Sequence, residues 1–447
     1  MRDVILTAIV GALLVLILRN PAIGAYTWAW LSLMNPHRFT FGFASTMPFA
    51  LATALVTGLA FALTRRRRAL PMTGIVWLLL IQMFWMSVTS LFAIATQDAV
   101  LDRWIFVMKI QVMLLLTFMV VLDAKQIRTL VWVVTMSVAY YGIKGGVFTI
   151  TTGGSGRVWG PAGSMLEGNN ELAVALVMLM PMLYFLWQTE PKPWLRKALV
   201  ASLALVALSI LGSQSRGALL ALLAMGLLLG LKSKRPALTS ILILILVPLA
   251  IAFMPDSWTS RMDTMRTYQQ DDSAMSRIWT WTTLWNAAVD RPLVGAGFRA
   301  DTQAVFKAYA PVEGVYAIFA GRVLVAHSIY FQVLGEHGFV GLFLFLAIGF
   351  VTWQSAARIA KRTTNDPEFG SWMPLLMRMV QVGLIGFSAG GAFLSLAYSD
   401  LPYYVIGFVV LCDALVRERD KAAANAPMAG AVVHPKPRRD PPRQIAT

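Results

Sequence analysis

The sequence is poor in cysteine and in charged residues. Cys412 is the single cysteine among 447 residues, so no disulfide can form within the chain. Charged residues make up 13% of the chain, against about 25% in an average soluble domain. These shortages exclude a secreted disulfide scaffold, a disordered chain and a soluble globular enzyme.

Nucleotide and metal motifs are missing too. No segment matches the Walker A pattern, so we do not expect ATP to be the energy source. The four histidines form no H-E-x-x-H motif and no cluster with cysteine, and D-x-D is absent. We therefore predict neither a bound metal nor another cofactor.

Apolar residues, by contrast, make up 57% of the chain, and its mean hydropathy is +0.66. A membrane span needs about 20 mostly apolar residues. It must be helical, because lipid offers no hydrogen bonds and a helix pairs its own backbone N–H and C=O groups. Eleven runs meet this description: 44–63, 72–96, 104–122, 129–150, 169–188, 198–212, 217–231, 237–254, 327–356, 373–392 and 402–416.

Residues 1–34 hold two further apolar stretches. The run at 4–18 has the length of either a signal-peptide core or a membrane span, and no A-x-A cleavage site follows it. Arg19-Asn20-Pro21 separates it from the short run at 22–34. The segment therefore makes either one broken crossing or two, and we predict about twelve transmembrane helices in total.

The short loops between these runs differ in Lys and Arg content. One set holds fifteen: Arg65–Arg68, Lys125, Arg128, Lys192, Arg196, Lys197, Lys232, Lys234, Arg235, Arg358, Lys361 and Arg362. The opposite set holds four: Arg38, Arg103, Arg157 and Arg216. Positive residues concentrate in cytoplasmic loops, so the first set is predicted to be cytoplasmic. Much of the net charge of +16 is then explained by these cytoplasmic loops. We therefore expect no nucleic-acid partner.

Loop parity places 151–168, 213–216 and 255–326 on the outer side of the membrane. The last of these is long, and its tryptophans argue against disorder. The tail after 416 has an Ala, Pro and Arg composition that predicts disorder on the cytoplasmic side. We predict four parts: N-terminal spans 1–254, an outer loop 255–326, C-terminal spans 327–416 and the tail 417–447.

Within the outer loop, residues 276–289 have the pattern of an amphipathic helix. Ile278, Trp281, Trp285 and Ala288 recur at helical spacing, and tryptophan is typical of the membrane interface. Arg277 is either solvated on this interfacial helix or points into a site and holds an anionic headgroup. Arg261 and Arg266, earlier in the same loop, are secondary candidates for substrate binding.

Arg216 lies in a very short connection, Ser213-Gln214-Ser215-Arg216-Gly217. Its charge falls at the outer edge of the hydrocarbon, where the side chain either extends to water or serves a function. A guanidinium group can bind a phosphate through two hydrogen bonds. Arg216 is therefore a candidate for a lipid-linked phosphate.

Two of the four histidines lie near the start of the span after the outer loop. His327 is at its outer end, and a histidine of near-neutral pKa can accept a proton from a sugar hydroxyl. His337 lies about 15 Å further along a straight helix and must do a different job. Each histidine has a structural alternative, a helix cap or a bond to a backbone carbonyl. Glu336, within the span, must be paired or neutral.

The loop at 153–170 is rich in glycine. It forms either an anion-binding nest around Arg157 or a plain flexible loop. Asn169 and Asn170 follow where a span begins, so they either cap the helix or bind a sugar. We keep Arg157, Asn169, Asn170 and His337 as predicted substrate-binding residues.

These motifs resemble the O-antigen ligase family, part of a wider ligase/polymerase superfamily of polytopic glycan transferases. Arg216-Gly-Ala-Leu-Leu220 matches its Arg pattern, and His327-Ser328 followed by Gly338-Phe-Val-Gly341 matches its His pattern. Arg277-x-x-x-Trp281 and Pro292-x-x-Gly295-x-Gly297-Phe298 look like the superfamily's loop signature. Asn35-Pro36-His37-Arg38 and Glu167-Gly-Asn-Asn-Glu171 are similar to a branch of exosortase-associated O-glycosylation ligases.

The resemblance implies an all-α polytopic protein of the bacterial inner membrane, with one long helical periplasmic loop and a GT-C-like glycosyltransferase architecture. The donor would be a polysaccharide on undecaprenyl pyrophosphate, and the acceptor a hydroxyl of lipid A–core. Transfer would be periplasmic, metal-independent and inverting, with His327, Arg216 and Arg277 as catalytic residues.

Three other functions remain open. An O-antigen or capsule polymerase would use the same donor with a carrier-linked acceptor. A protein O-oligosaccharyltransferase often carries an added periplasmic domain, and none is visible. A polysaccharide transporter would show repeated halves and broken spans, whereas this sequence shows no internal repeat.

Overall fold

The computed structural model describes residues 1–232 and 272–425, where the regular structure is helical. The span predicted at 237–254 lies outside the described residues, as do Arg261 and Arg266. The described α-helices are α1 Arg2–Arg19, α2 Ala22–Met34, α3 Phe49–Leu63, α4 Gly74–Leu91, α5 Gln97–Val120, α6 Ala124–Thr151, α7 Asn169–Thr189, α8 Pro193–Gly212, α9 Arg216–Lys232, α10 Asp272–Asp290, α11 Gln303–Tyr309, α12 Ile329–Thr363, α13 Trp372–Gly391 and α14 Asp400–Asn425.

Several of these helices are membrane spans by length and composition. Seven of the described helices qualify, namely α4 to α8, α12 and α13, and α3 and most of α9 are shorter apolar helices. Every predicted span except 237–254 coincides with a helix. The chain is thus a multi-pass membrane protein, while the total of twelve crossings stays a prediction.

The first two helices form an antiparallel pair. Leu6 and Val10 of α1 pack in one apolar cluster with Leu31 near the end of α2. The Asp3 carboxylate accepts hydrogen bonds from the backbone nitrogens of Gly42, at 2.9 Å, and Ala44, at 3.1 Å. Residues 1–34 therefore fold back on themselves and do not form one broken helix.

The cation-rich loops lie together at one face of the helix bundle, which we call the basic face. Arg68 contacts Glu418 and donates to the Leu122 carbonyl at 2.9 Å, and Arg419 pairs with Asp366. These contacts correct one prediction. The tail was expected to be disordered from 417, but α14 continues through Asn425, because its charged side chains have partners on neighbouring loops.

At the opposite face, which we call the site face, close helix packing brings two connections together. Gly146 of α6 lies against the backbone of α8, where a Cβ atom would overlap the Leu205 carbonyl. The Val158 nitrogen donates to the Gly212 carbonyl at 3.1 Å. The loop after α6 therefore lies directly beside the turn between α8 and α9.

Helix α12 has a kink that receives the loop after α10. Gly338 has φ 67° and ψ −168°, outside the helical region. There the Phe339 nitrogen donates to the Pro292 carbonyl, and the Ala296 nitrogen donates to the Gly335 carbonyl, both at 2.8 Å. Gly295 and Gly297 both have positive φ, which allows the chain to turn between them. The outer loop is thus locked to α12.

Helix α10 contains the amphipathic segment predicted at 276–289, but its buried face differs from the predicted one. Trp279 is 1% exposed and packs on Phe306 and Phe319, with ring centroids 5.1 and 5.4 Å away. Trp285, placed on the apolar face by the pattern, is 47% exposed. The prediction failed because α10 packs on two sides, against α12 and against the later part of its own loop.

Candidate functional site

The turn between α8 and α9 places Arg216 at a helix N-terminus. The Ser215 hydroxyl accepts a hydrogen bond from the Ala218 nitrogen at 3.2 Å and so caps α9. Gln214 has φ 56°, in the left-handed region that costs a non-glycine residue energy. Arg216 is the first residue of α9, where helix dipole and guanidinium charge add together.

The start of α7 is tied to the same turn. The Asn169 side chain donates from Nδ2 to the Ser213 carbonyl at 2.8 Å, so it bridges two connections and does not cap α7. The cap position is Gly168, which offers no side chain, so the first nitrogens of α7 have no side-chain cap. A second helix N-terminus thus faces the space beside Arg216.

That space is a cavity of about 210 Å³, which we call the arginine cavity. Its lining includes five of the predicted site residues: Arg157, Asn169, Asn170, Arg216 and Arg277. Three guanidinium groups and two helix N-termini make it a site for an anion. Among the residues of 1–232 and 272–425, no group of three or more His, Cys, Asp or Glu is placed to hold a metal ion.

His327 is positioned near this cavity by two hydrogen bonds to the peptide unit that joins it to Ala326. Trp281 donates from Nε1 to the Ala326 carbonyl at 2.7 Å, and the His327 nitrogen donates to the Ser395 hydroxyl at 2.8 Å. His327 itself has φ 45°. Such strain persists only when the surroundings impose it, and it concentrates at functional sites.

His327 has a neutral ring of low basicity. The residue precedes α12 and is partly buried. Burial, and then the nearby charge of Arg277, lower the pKa of His327 to about 4, below the near-neutral value expected from the sequence. The imidazole is therefore neutral at pH 7 and can accept a proton, but Arg277 disfavours its protonation.

A larger cavity of about 570 Å³ lies near His327, although His327 is in the lining of neither cavity. Ala326 and Ser395 line the larger cavity, whereas the neighbouring Phe393 and Leu394 line the arginine cavity. Its polar and aromatic lining suits a saccharide and includes Arg103, Trp159, Glu167, Glu171, Arg299, Asp301, Gln332 and Glu336. We call it the large cavity.

Glu336 contributes a buried carboxylate to the large cavity. The residue is 5% exposed, and Oε1 accepts from the Arg299 nitrogen at 3.2 Å. The Tyr398 hydroxyl and the charge of Arg103 also interact with this carboxylate. Sequence reasoning expected Glu336 to be paired or neutral, but did not place it in a cavity.

His337 does not join the site. It is 1% exposed, and its Nδ1 lies 2.7 Å from the Thr89 hydroxyl. Its ring packs edge-on against Phe298, with centroids 4.6 Å apart. The structure therefore places His337 in the protein core, outside the lining of both cavities, and its predicted part in substrate binding stays a prediction.

Sequence reasoning missed most of the large cavity. Ser395 and Gln332 carried no motif, and Arg299 looked like one more loop cation. Glu171 was visible inside Glu167-Gly-Asn-Asn-Glu171, and its electrostatic interaction with Arg277 links the two cavities. The repeated polar residues around Asn169 and Asn170 were the one available signal.

Comparison with known families identifies one domain. Residues 201–346 match the O-antigen ligase family model, and this segment holds Arg216, Arg277 and His327. The match supports membership of the O-antigen ligase superfamily. Residues 1–190, which hold Arg157, Asn169 and Asn170, match a model described as a family of unknown function (DUF5935). A search of curated proteins finds no match.

Membership supports a glycan-transferring enzyme of the ligase/polymerase class that acts on lipid-linked substrates. The two matched segments meet at the arginine cavity, because Arg157, Asn169 and Asn170 come from the first and Arg216 and Arg277 from the second. The segment of unknown function therefore supplies part of the candidate site.

Proposed function

We propose that the protein is an O-antigen ligase that transfers a polysaccharide from undecaprenyl pyrophosphate to a hydroxyl of lipid A–core. The observation that supports this most is the arginine cavity beside a neutral histidine, in a fold that spans a membrane. The reaction would take place at the periplasmic face of the inner membrane. The basic face, with the end of α14, would then be cytoplasmic, as the positive-inside rule predicts.

The arginine cavity suits the pyrophosphate of the donor. Arg157, Arg216 and Arg277 offer planar donors that match phosphate oxygens. The helix N-termini of α7 and α9 add backbone donors. A pyrophosphate attached to a lipid would lie at the membrane surface, where α8 ends and α7 and α9 begin. The polysaccharide would then extend toward the large cavity or away from the membrane.

The proposed reaction is one direct displacement at the anomeric carbon. The acceptor hydroxyl oxygen forms the new bond to that carbon, and the bond from the carbon to the pyrophosphate oxygen breaks. His327 takes the hydroxyl proton, and undecaprenyl pyrophosphate leaves with the electron pair. Attack from the face opposite the leaving group inverts the anomeric configuration.

The arginines would also stabilise charge as it develops on the leaving pyrophosphate. Removal of one such preorganised donor typically lowers kcat about 100- to 1,000-fold. Guanidinium groups can supply the charge that a divalent cation supplies in other transferases. We therefore propose that transfer is metal-independent, and that activity persists in EDTA.

The test is transfer with purified protein, undecaprenyl-pyrophosphate glycan and lipid A–core in the presence of EDTA. Wild type should form glycan-bearing lipid A–core, while His327→Ala and Arg216→Ala should lose at least about 100-fold of that rate. Arg322→Ala is the matched control, because Arg322 is exposed on the same loop and stacks on Phe319.

Three outcomes would overturn parts of the proposal. Polymer growth on the lipid carrier, without transfer to lipid A–core, would identify a polymerase. Full activity of His327→Ala would require another base. Glycan translocation across vesicles without any new glycosidic bond would identify a transporter.

A further inference from the structure

A third cavity, of about 330 Å³, lies apart from the arginine cavity. It is enclosed by the end of α2, the short helix at 36–39, the middle of α5 and the start of α14. We call it the anchor cavity. Most of its lining is apolar and includes Trp28, Leu31, Leu33, Ala50, Phe106, Ile110, Met165, Leu166 and Leu401. An occupant must therefore be largely hydrocarbon.

Lys109 places a positive charge in this apolar lining. It lies midway along α5, inside a helix that is apolar enough to span a membrane. Within residues 1–232 and 272–425, no acidic side chain lies within ion-pair distance of it. A charged group at this depth is costly unless compensated, and the exposed side chain of Lys109 leaves it accessible to an anion from a ligand.

Other polar groups of the cavity indicate the kind of headgroup. Arg38 lines it and donates from Nη2 to the Gly163 carbonyl at 3.3 Å, which adds a second cation. Asp400 also lines it, and its Oδ1 is buried without a hydrogen-bond partner in the described part of the chain. A phosphorylated sugar carries both kinds of group. Its phosphate would pair with the two cations, and its hydroxyl or amide N–H groups would donate to Asp400.

The anchor cavity is adjacent to the large cavity. Ser164 and Met165 line both of them. Along α5, Arg103 lines the large cavity and Lys109 the anchor cavity, and the two positions differ by about 9 Å of helix rise. Phe106 lies between them in the chain and is 38% exposed. A ligand that occupied both cavities would therefore extend along this part of α5.

We propose that the anchor cavity binds the phosphorylated glycolipid anchor of the acceptor, with Lys109 and Arg38 on its phosphate. This inference rests on the proposed function, and it assigns a role to part of the segment that matches a family of unknown function. The acceptor's outer sugars would then occupy the large cavity, and its reacting hydroxyl would lie near His327.

The test combines two changes, substitution of Lys109 in the protein and removal of the phosphates from the acceptor, and measures each alone and both together. Lys109→Met should raise KM for lipid A–core about tenfold, equivalent to about 1.4 kcal/mol, and leave KM for the donor unchanged. Enzymatically dephosphorylated lipid A–core should give wild type the same rise, with no further rise in Lys109→Met. Lys144→Met is the matched control, because Lys144 lies over the rings of Phe39 and Tyr140, outside the cavity lining.

A binding measurement without donor separates this inference from the proposed function. Purified Lys109→Met should bind lipid A–core about tenfold more weakly than wild type, whether or not transfer occurs. Equal binding by the two proteins would overturn the inference. So would independent effects of the lysine and the phosphates, since the lysine would then contact something other than the acceptor. Absence of product from wild type, with lysine-dependent binding intact, would count against the proposed ligase alone.

Discussion

Replacement of Trp281 by phenylalanine removes one of the two hydrogen bonds that hold the backbone around His327. Phenylalanine keeps an aromatic ring to stack on Phe331, which lies 5.2 Å away at an interplanar angle of 6°. It lacks the Nε1 hydrogen that donates to the Ala326 carbonyl at 2.7 Å. The substitution therefore removes one donor while it preserves most of the packing.

The expected magnitude follows from burial and strain. Ala326 is 8% exposed, and a buried carbonyl left without its donor costs about 1–3 kcal/mol. The positive φ of His327 stores energy of the same order, about 1–3 kcal/mol. Loss of one restraint lets that backbone relax and moves the imidazole. Because a misplacement of about 1 Å can cost about 100-fold in rate, we expect kcat to fall about 10- to 100-fold.

The assay is steady-state transfer with the donor concentration varied. KM for the donor should stay near the wild-type value, because the arginine cavity keeps its lining. Trp285→Phe is the control, since Trp285 lies one turn later on α10 and is 47% exposed. Ser395→Ala, which removes the other hydrogen bond, should resemble Trp281→Phe. A Trp281→Phe protein with wild-type kcat, or with a change in donor KM alone, would refute this account of His327.

Two further predictions concern the pH profile and the kink. In free enzyme, kcat/KM should stay level down to about pH 5 and fall below it, because the pKa of His327 is lowered to about 4 and only the neutral ring accepts a proton; a midpoint near 6.5 would contradict this. Folding stability should weaken as pH falls between 6.5 and about 4, where the unfolded chain alone protonates this histidine. Gly338→Ala should abolish activity and lower the yield of folded protein, because φ is 67° and a Cβ atom would lie 2.5 Å from the Pro292 carbonyl. Gly349→Ala on the same helix meets nothing within 4 Å and should raise thermal stability slightly, and equal melting temperatures for the two variants would contradict the packing described.

The sequence indicated the membrane-spanning helices and the arginine cavity for different reasons. A long apolar run indicates a membrane span by its length and composition alone, so its position can be predicted without knowledge of the packing. Arg216 and His327 stood out because a charge or histidine at the outer end of a span has few structural uses, and Arg277 stood out because it lies on an amphipathic helix of the outer loop. Their convergence around one cavity with Arg157 depended on close contact between α6 and α8, which no local pattern encodes.

The large cavity could not be predicted, since its residues come from distant parts of the chain. Gln332 and Ser395 are ordinary polar residues until the kink in α12 and the connection before α14 bring them together. Helix α10 shows a similar limit, because Trp279 is buried by later parts of the loop. The buried position of His337 could not be predicted either, since polar residues in a motif are equally suited to packing and to binding.

The arginine cavity also has a kinetic consequence. Its guanidinium groups and helix N-termini would contact the pyrophosphate, and the pyrophosphate stays on the carrier lipid when the glycan leaves. Spent carrier would then be held at least as firmly as loaded carrier, because the bond cleavage adds a negative charge to it. Turnover would be limited by departure of the spent lipid, so a rapid first round should be followed by slower steady cycling. Release of the spent carrier from the arginine cavity would thus limit the turnover rate as much as glycosidic bond formation does.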